Sequence, residues 1–275
     1  MLRHPCFDEK AHRLVGRVHL PVAPACNIKC AYCEREIGCV HESRPGVTKS
    51  ILRPEHVKDY LSYVLTNEPR IEVVGIAGPG DALANEETFF ALSEVRRHFP
   101  EIKICLATNG LTLPENIERL TALGLDFLSV TVNAATPETG AKLVKFVNTK
   151  EGRLQGEEGA RFLLEKQLEG IALASEAGIR VKVNTVLVPG INDHEMAAIA
   201  QLAGNAGASL MNIIPLIPLG EFSGLRPPSK KEMARARSVA GRFLPQFLSC
   251  KRCRADAVGI PGLGDMTLSC LAGNF

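Results

Sequence analysis

Residues 26–39 read CNIKCAYCEREIGC, which puts four of the chain's nine cysteines into one short segment. Cys26, Cys30 and Cys33 follow a C-x3-C-x2-C spacing just after a predicted strand. A loop of this length can wrap three thiolates around one iron–sulfur cluster, whereas a [4Fe–4S] cube ordinarily takes four. Three local ligands leave one iron open to a further molecule, and Tyr32, beside the last of them, can pack against it. The competing reading is zinc. Cys30-x2-Cys33 with Cys250-x2-Cys253 makes a four-thiolate set, but it gives Cys26 no role. An odd number of cysteines also fits a disulfide framework poorly.

Composition narrows the setting. A chain of 275 residues, 45% hydrophobic and 23% charged, has the balance of an ordinary globular protein. The formal net charge is +2 and no long basic run occurs, so nucleic-acid binding gets no support. No signal peptide is evident, and no apolar run reaches the roughly 18 residues of a membrane helix. A cytoplasmic location is expected. Thiols stay reduced there, which favours metal or redox chemistry for clustered cysteines.

Outward from the cysteine loop, short Val-, Ile- and Leu-rich runs alternate with helical patterns. Strands are predicted at 17–22, 72–77, 102–107, 127–132, 179–188 and 210–215, without strict alternation, as for strands buried on both faces. Helices are predicted from Pro54, through 87–99, and from Pro114, Pro137, Ala160, Asp193 and Ser229. The helix from Ala160 is expected to stop at Gly178. Six strand–helix units imply a parallel α/β sheet, curled into a partial (βα)6 TIM-type barrel or left open and doubly wound. The barrel is favoured because polar residues gather at the ends of several strands: Gly78-Pro79-Gly80-Asp81, Asn109, Asn133 and Asn184. In a barrel these ends converge on one mouth. Gly, Asn and Pro also simply make turns, but Asn133 and Asn184 lie in or beside apolar strands. A single domain spanning 1–275 is expected, with its barrel core at about 15–245, an N-terminal arm at 1–14 and a cysteine-containing tail at 246–275.

The C-x3-C-x2-C loop with an aromatic before its last cysteine, at the end of the first strand of such a chain, resembles the radical S-adenosylmethionine (SAM) superfamily. HPCFDEKAH, HLPVAPACNIKCAYC, ESRPGV, GIAGPGDALAN, TNGLTLPE and CKRCRADAVG further resemble the nitrogenase cofactor maturases within it. Glu34-Arg35-Glu36 departs from the more basic segment usual there, and the final fifteen residues match no familiar pattern. The resemblance implies a [4Fe–4S] cluster on Cys26, Cys30 and Cys33 whose open iron binds SAM and cleaves it by one electron. It implies fusion of two further [4Fe–4S] clusters around a SAM-derived carbon into an eight-iron precursor. Expected partners are iron–sulfur cluster delivery proteins, an electron donor such as ferredoxin or flavodoxin, and cofactor carrier or nitrogenase scaffold proteins. The NifX-like C-terminal domain of some members is not expected.

The family context also assigns the remaining ligands. Cys250 and Cys253 need a third partner, for which Cys6 in the arm is the natural choice. His19, Cys39 and Cys105 form the second group. Alone, Cys105 reads as a small buried hydrophobe, His19 as a core histidine and the Cys250–Cys253 pair as zinc. His4 and His12 rank lower as nitrogen ligands, and Cys270 has no evident partner. Glu42-Ser43-Arg44, just after Cys39, is expected to face the clusters: Glu42 to move protons or ligate iron, Arg44 to offset negative charge. Gly78, Gly80 and Asp81 are implied to hold the SAM amino group. Asn109, Asn133 and Asn184 are candidates for its carboxylate and ribose, because amides both donate and accept. Another radical SAM activity, such as peptide modification, and a non-catalytic metal carrier are the alternatives.

Overall fold

A computed structural model describes residues 3–263 and the short strand Met266–Thr267. Cys270 lies outside the described residues. Six parallel strands form the body of the sheet: β1 (Gly16–His19), β2 (Ile71–Ile76), β3 (Lys103–Thr108), β4 (Phe127–Thr131), β5 (Arg180–Leu187) and β6 (Leu210–Pro215). Each pairs with its neighbour in sequence, so the chain winds one way and never reverses. A doubly wound sheet needs a reversal point, and none is present among these strands. The sheet is a curled half-barrel.

Helices α1 (Val57–Asn67), α2 (Glu86–His98) and α3 (Ile117–Ala122) cover the outer face, α4 (Pro137–Leu143) packs instead with the loop after β1 beside the cavity, and α5 (Gly156–Glu176), α6 (Met196–Asn205) and α7 (Lys230–Ala240) complete the outer layer. Val18, Val74, Ile104, Leu128, Val181 and Met211 project outward from successive strands into one buried core with these helices. Burying each such side chain stabilises the fold by about 1.5–3 kcal/mol. α5 ends as its sequence predicts. Gly178 takes φ +80, and Ile179 N donates to Ala174 O at 3.0 Å, closing the helix with a left-handed residue.

The tail does more than lie beside the barrel. Met211 N donates to Pro245 O and Phe247 N to Met211 O, so residues 245–247 run along the free edge of β6. Strand β7 (Ala257–Gly259) then pairs antiparallel with β1. The segment between spans the open seam of the half-barrel and carries Cys250 and Cys253 across it. Two small sheets also lay outside the sequence reading. Ile28–Cys30 pairs with Val144–Asn148, which pairs with Arg153–Leu154; Glu36–Ile37 pairs with Val47–Thr48.

Candidate functional site

The inward residues of the strands alternate with the core residues. Arg17 and His19, Cys105 and Ala107, Ser129 and Thr131, Lys182 and Asn184, and Asn212 all line one cavity of about 380 Å³. Cys6 reaches it from the arm, Cys26, Cys30 and Cys33 from the loop after β1, and Cys250 and Cys253 from the seam. Tyr32, Arg44, Gly80, Asp81, Asn109 and Asn133 complete the expected set on its wall. Cys39, Glu42, Ser43 and Gly78 are not among the lining residues. Among the described residues no three His, Cys, Asp or Glu side chains converge as a single-ion site.

The three-cysteine loop is anchored at both ends by main chain. Gly80 N donates to Ala23 O at 2.7 Å and Asp81 N to Ala25 O at 2.8 Å. Asn85 exchanges two 3.0 Å bonds with the Ala25 backbone. Beyond Cys26, residues 28–30 pair with the strand at 144–147. A Cβ on Gly80 would stand 2.0 Å from Ala25 O, so only glycine permits this approach. We expect Gly80→Ala to destabilise the protein by about 1–3 kcal/mol and to lower iron retention at the adjacent loop more than elsewhere. Thermal melting and iron content per chain check this; a variant with native melting and native iron would contradict it.

Burial pushes the thiols of Cys26, Cys30 and Cys33 above the ordinary cysteine range, and at Cys30 the neighbouring Cys33 and Cys26 push the same way. The metal-free thiols therefore hold their protons, and a metal must displace them. Asn133 Nδ2 donates to Tyr32 Oη at 2.7 Å, and the same hydroxyl hydrogen-bonds Cys30. Tyr32 thus ties the end of β4 to the loop. The buried Asp81 carboxylate accepts from Leu83 N, Thr108 Oγ1 and Asn109 N, and burial raises its pKa to about 6. The three asparagines also have local bonds. Asn109 Nδ2 donates to Asn27 Oδ1, Asn133 Oδ1 accepts from Val186 N, and Asn184 Oδ1 accepts from Asn212 Nδ2.

On β1, His19 stands opposite Gly75, where a Cβ would come 3.0 Å from the imidazole. Its Nδ1 bonds Arg254 O at 2.9 Å, which makes Nδ1 the protonated nitrogen and leaves the lone pair on Nε2. Metal-binding histidines are commonly oriented this way. Cys105 faces the cavity, as its position in β3 suggests, and burial pushes its thiol up to about 12. Arg254 pairs with Asp256, donates to Cys39 O at 2.7 Å and contacts Glu42 O. That guanidinium fastens the 39–42 segment to the seam. Glu42 and Ser43 are exposed. Arg44 is buried, pairs with Glu42 and Glu36, and donates to Glu34 O. His4 lines the cavity, but its Nδ1 accepts from Cys6 N at 2.9 Å. His12 bonds Pro5 O and is not a lining residue.

Sequence reasoning missed two buried cations here. Arg17 is 1% exposed, donates to Gly259 O at 2.6 Å and to Cys253 Sγ at 2.8 Å. Lys182 is 4% exposed and donates to Cys6 O at 3.0 Å. Two-residue spacing was the available signal: Arg17 shares a strand face with His19, and Lys182 with Asn184.

The family model for the radical SAM superfamily matches residues 20–203, from the end of β1 into α6. The fold is similar to that of a radical SAM methyltransferase from Sphaerobacter thermophilus, with a TM-score of 0.55 at 18% identity over 85% of this chain and 64% of that one. Methylornithine synthase is similar at a TM-score of 0.53 and 11% identity, over 84% of this chain and 64% of that one. The chain is a radical SAM enzyme, and membership implies a [4Fe–4S] cluster and SAM. Three half-buried thiols on one anchored loop, all lining the cavity, are a donor set that fits the cluster. The relatives narrow the class further. The chain is 47% identical over 260 residues to the FeMo cofactor biosynthesis protein NifB of Methanocaldococcus jannaschii, covering 94% of this chain and 86% of that protein. Identity to the NifB of Azotobacter vinelandii is 39% over 269 residues, 94% of this chain and 53% of that protein. The chain belongs to the NifB family of nitrogenase cofactor biosynthesis proteins. Among the described residues no helix is long and apolar enough to cross a membrane.

Proposed function

We propose that this chain fuses two [4Fe–4S] substrate clusters and inserts a SAM-derived carbon, forming the eight-iron precursor of the nitrogenase cofactor. One observation carries the reading. The three-cysteine loop opens into the same cavity as Cys6, His19, Cys105, Cys250 and Cys253. A cluster on Cys26, Cys30 and Cys33 supplies one-electron cleavage of SAM when bound there. Gly80, Asp81, Asn109, Asn133 and Asn184 on the same wall would position SAM, and Tyr32 would brace the loop through Asn133 and Cys30. Cys6, Cys250 and Cys253 would hold one substrate cluster, and His19 and Cys105 the other, with Cys39, outside the lining but held by the same Arg254 whose carbonyl bonds His19, as its third ligand. Three protein ligands per cluster leave one iron of each exchangeable, as fusion requires. Arg44 would offset cluster charge, with Glu42 a proton carrier at the exposed rim.

The reading places a single domain in the cytoplasm. Its partners would be cluster delivery proteins, a ferredoxin- or flavodoxin-type electron donor, and carrier or scaffold proteins. The test is anaerobic reconstitution, addition of SAM and reductant, and transfer of the product to apo-nitrogenase. Activation is expected. A protein that cleaves SAM with both auxiliary clusters loaded, yet never activates the acceptor, would overturn the assignment.

His19 gives a sharper local test. Imidazole can replace thiolate on iron, as in Rieske centres, and a neutral nitrogen adds no charge and can leave when clusters merge. Pulsed electron paramagnetic resonance of the reduced protein is expected to show a nitrogen coupling of direct-ligand size that disappears in His19→Ala. Its persistence in the variant would remove His19 from the ligand set.

A further inference from the structure

Lys182 is the one lysine among the described residues that line the cavity, and it is buried. Among the described residues no carboxylate forms a salt bridge with it. Its contacts are the Cys6 carbonyl at 3.0 Å, the Phe7 ring centroid at 4.6 Å and the Phe247 ring centroid at 5.6 Å. Ring faces and one carbonyl compensate only part of the cost of removing an ammonium from water. A buried charge of this kind implies an opposite charge that arrives with a ligand.

The position of the side chain says which ligand. Lys182 lies on β5, in register with Ser129 on β4 and Leu210 on β6, and faces inward. It holds the main chain at Cys6, which belongs to one proposed ligand group. Cys105, which belongs to the other, lines the same cavity, two residues before Ala107, which pairs with the same Ser129 that Lys182 pairs with. Each thiol that binds iron gives up its proton, and each electron delivered to a cluster adds a further negative charge. Resting on the reading proposed above, we propose that Lys182 is a charge-compensating bridge between the two substrate clusters, favouring their reduced forms and lowering the electrostatic cost of bringing them together. A simple tether is the competing role. Lys182 would then only pin the arm through Cys6 and Phe7, and its loss would affect the Cys6, Cys250 and Cys253 cluster alone.

Redox titration of the full, reconstituted chain, followed by electron paramagnetic resonance and iron content, separates these roles. The SAM-binding cluster is identified by the spectral change that SAM causes. Lys182→Met and Lys182→Gln remove the charge by two different side chains, and Lys182→Arg keeps it. In the neutral variants both auxiliary clusters are expected to become harder to reduce, by about tenfold in the reduced-to-oxidised ratio at fixed potential, or about 59 mV for a one-electron couple. The SAM-binding cluster should be unmoved, and Lys182→Arg should titrate close to the native protein. Loss of one cube with the other auxiliary potential unchanged would reduce Lys182 to a tether and overturn the proposal. Unchanged potentials at both clusters would overturn it as well, as would Lys182→Arg behaving like the neutral variants. Failure of the native chain to hold two auxiliary clusters at all would instead bring down the proposed function, and this inference with it.

Discussion

Replacing Cys26, Cys30 and Cys33 together with alanine is expected to abolish 5′-deoxyadenosine formation while iron remains bound elsewhere in the chain. Without the three thiolates nothing can present an open iron to SAM, so the loss should reach the detection limit rather than a partial decrease. The fold should tolerate the change. The loop is held by main-chain bonds from Gly80 and Asp81 to Ala23 and Ala25, by Asn85, and by the pairing of 28–30 with 144–147. None of these uses a thiol. Loss of the Tyr32–Cys30 contact should cost about 0.5–1.5 kcal/mol, too little to unfold a domain. The check is anaerobic product analysis alongside iron content. Continued 5′-deoxyadenosine formation by the triple variant would show that the SAM cluster is held elsewhere.

Replacing Cys250 and Cys253 together with alanine should lower bound iron by about four per chain, one cube, and leave SAM binding at the first cluster intact. The seam segment should stay in place, because its main-chain bonds to β6 lie at 245–247 and its pairing with β1 lies at 257–259. Arg17 would lose its bond to Cys253 Sγ but keep its bond to Gly259 O. The penalty for one lost hydrogen bond to a charged donor is about 1.5–3 kcal/mol, so a lower melting temperature with native secondary structure is expected. Iron content and melting of the reconstituted variant check both parts. An unchanged iron count would show that the pair holds no cluster.

Most of the sheet was legible because its signals are local. Six apolar runs separated by helical patterns with Pro starts gave the parallel strands, and Gly178 gave the end of α5. The three-cysteine loop was legible for the same reason: its thiols are close together in sequence. The seam was not. Three-residue segments such as 245–247 and 257–259 carry no readable period, and they become strand-like only through partners far away in the chain. Arg17 and Lys182 were hidden inside runs that read as apolar strands buried on both sides. Both faces are buried, but the inner one is polar and lines the cavity, so alternate residues follow a different rule. Gly80 read as a residue for the SAM amino group and Gly75 was not singled out within the strand 72–77; the space they leave, for the Ala25 carbonyl and for the His19 ring, depends on neighbours that only the fold supplies. Glu42 and Ser43, expected at the cavity because they follow Cys39, sit on the exposed side of a segment that Arg254 fastens down.

The proposed function requires that a carbon from SAM end inside a cluster assembled in this cavity. The reconstituted chain should be turned over with carbon-13-labelled SAM, its eight-iron product isolated anaerobically, and the label sought by electron–nuclear double resonance and by mass analysis of the acid-quenched cluster. One labelled carbon per product cluster is expected, absent when the Cys26, Cys30 and Cys33 variant is used. Label recovered only in small-molecule fragments of SAM, with an iron–sulfur product free of carbon-13, would contradict it.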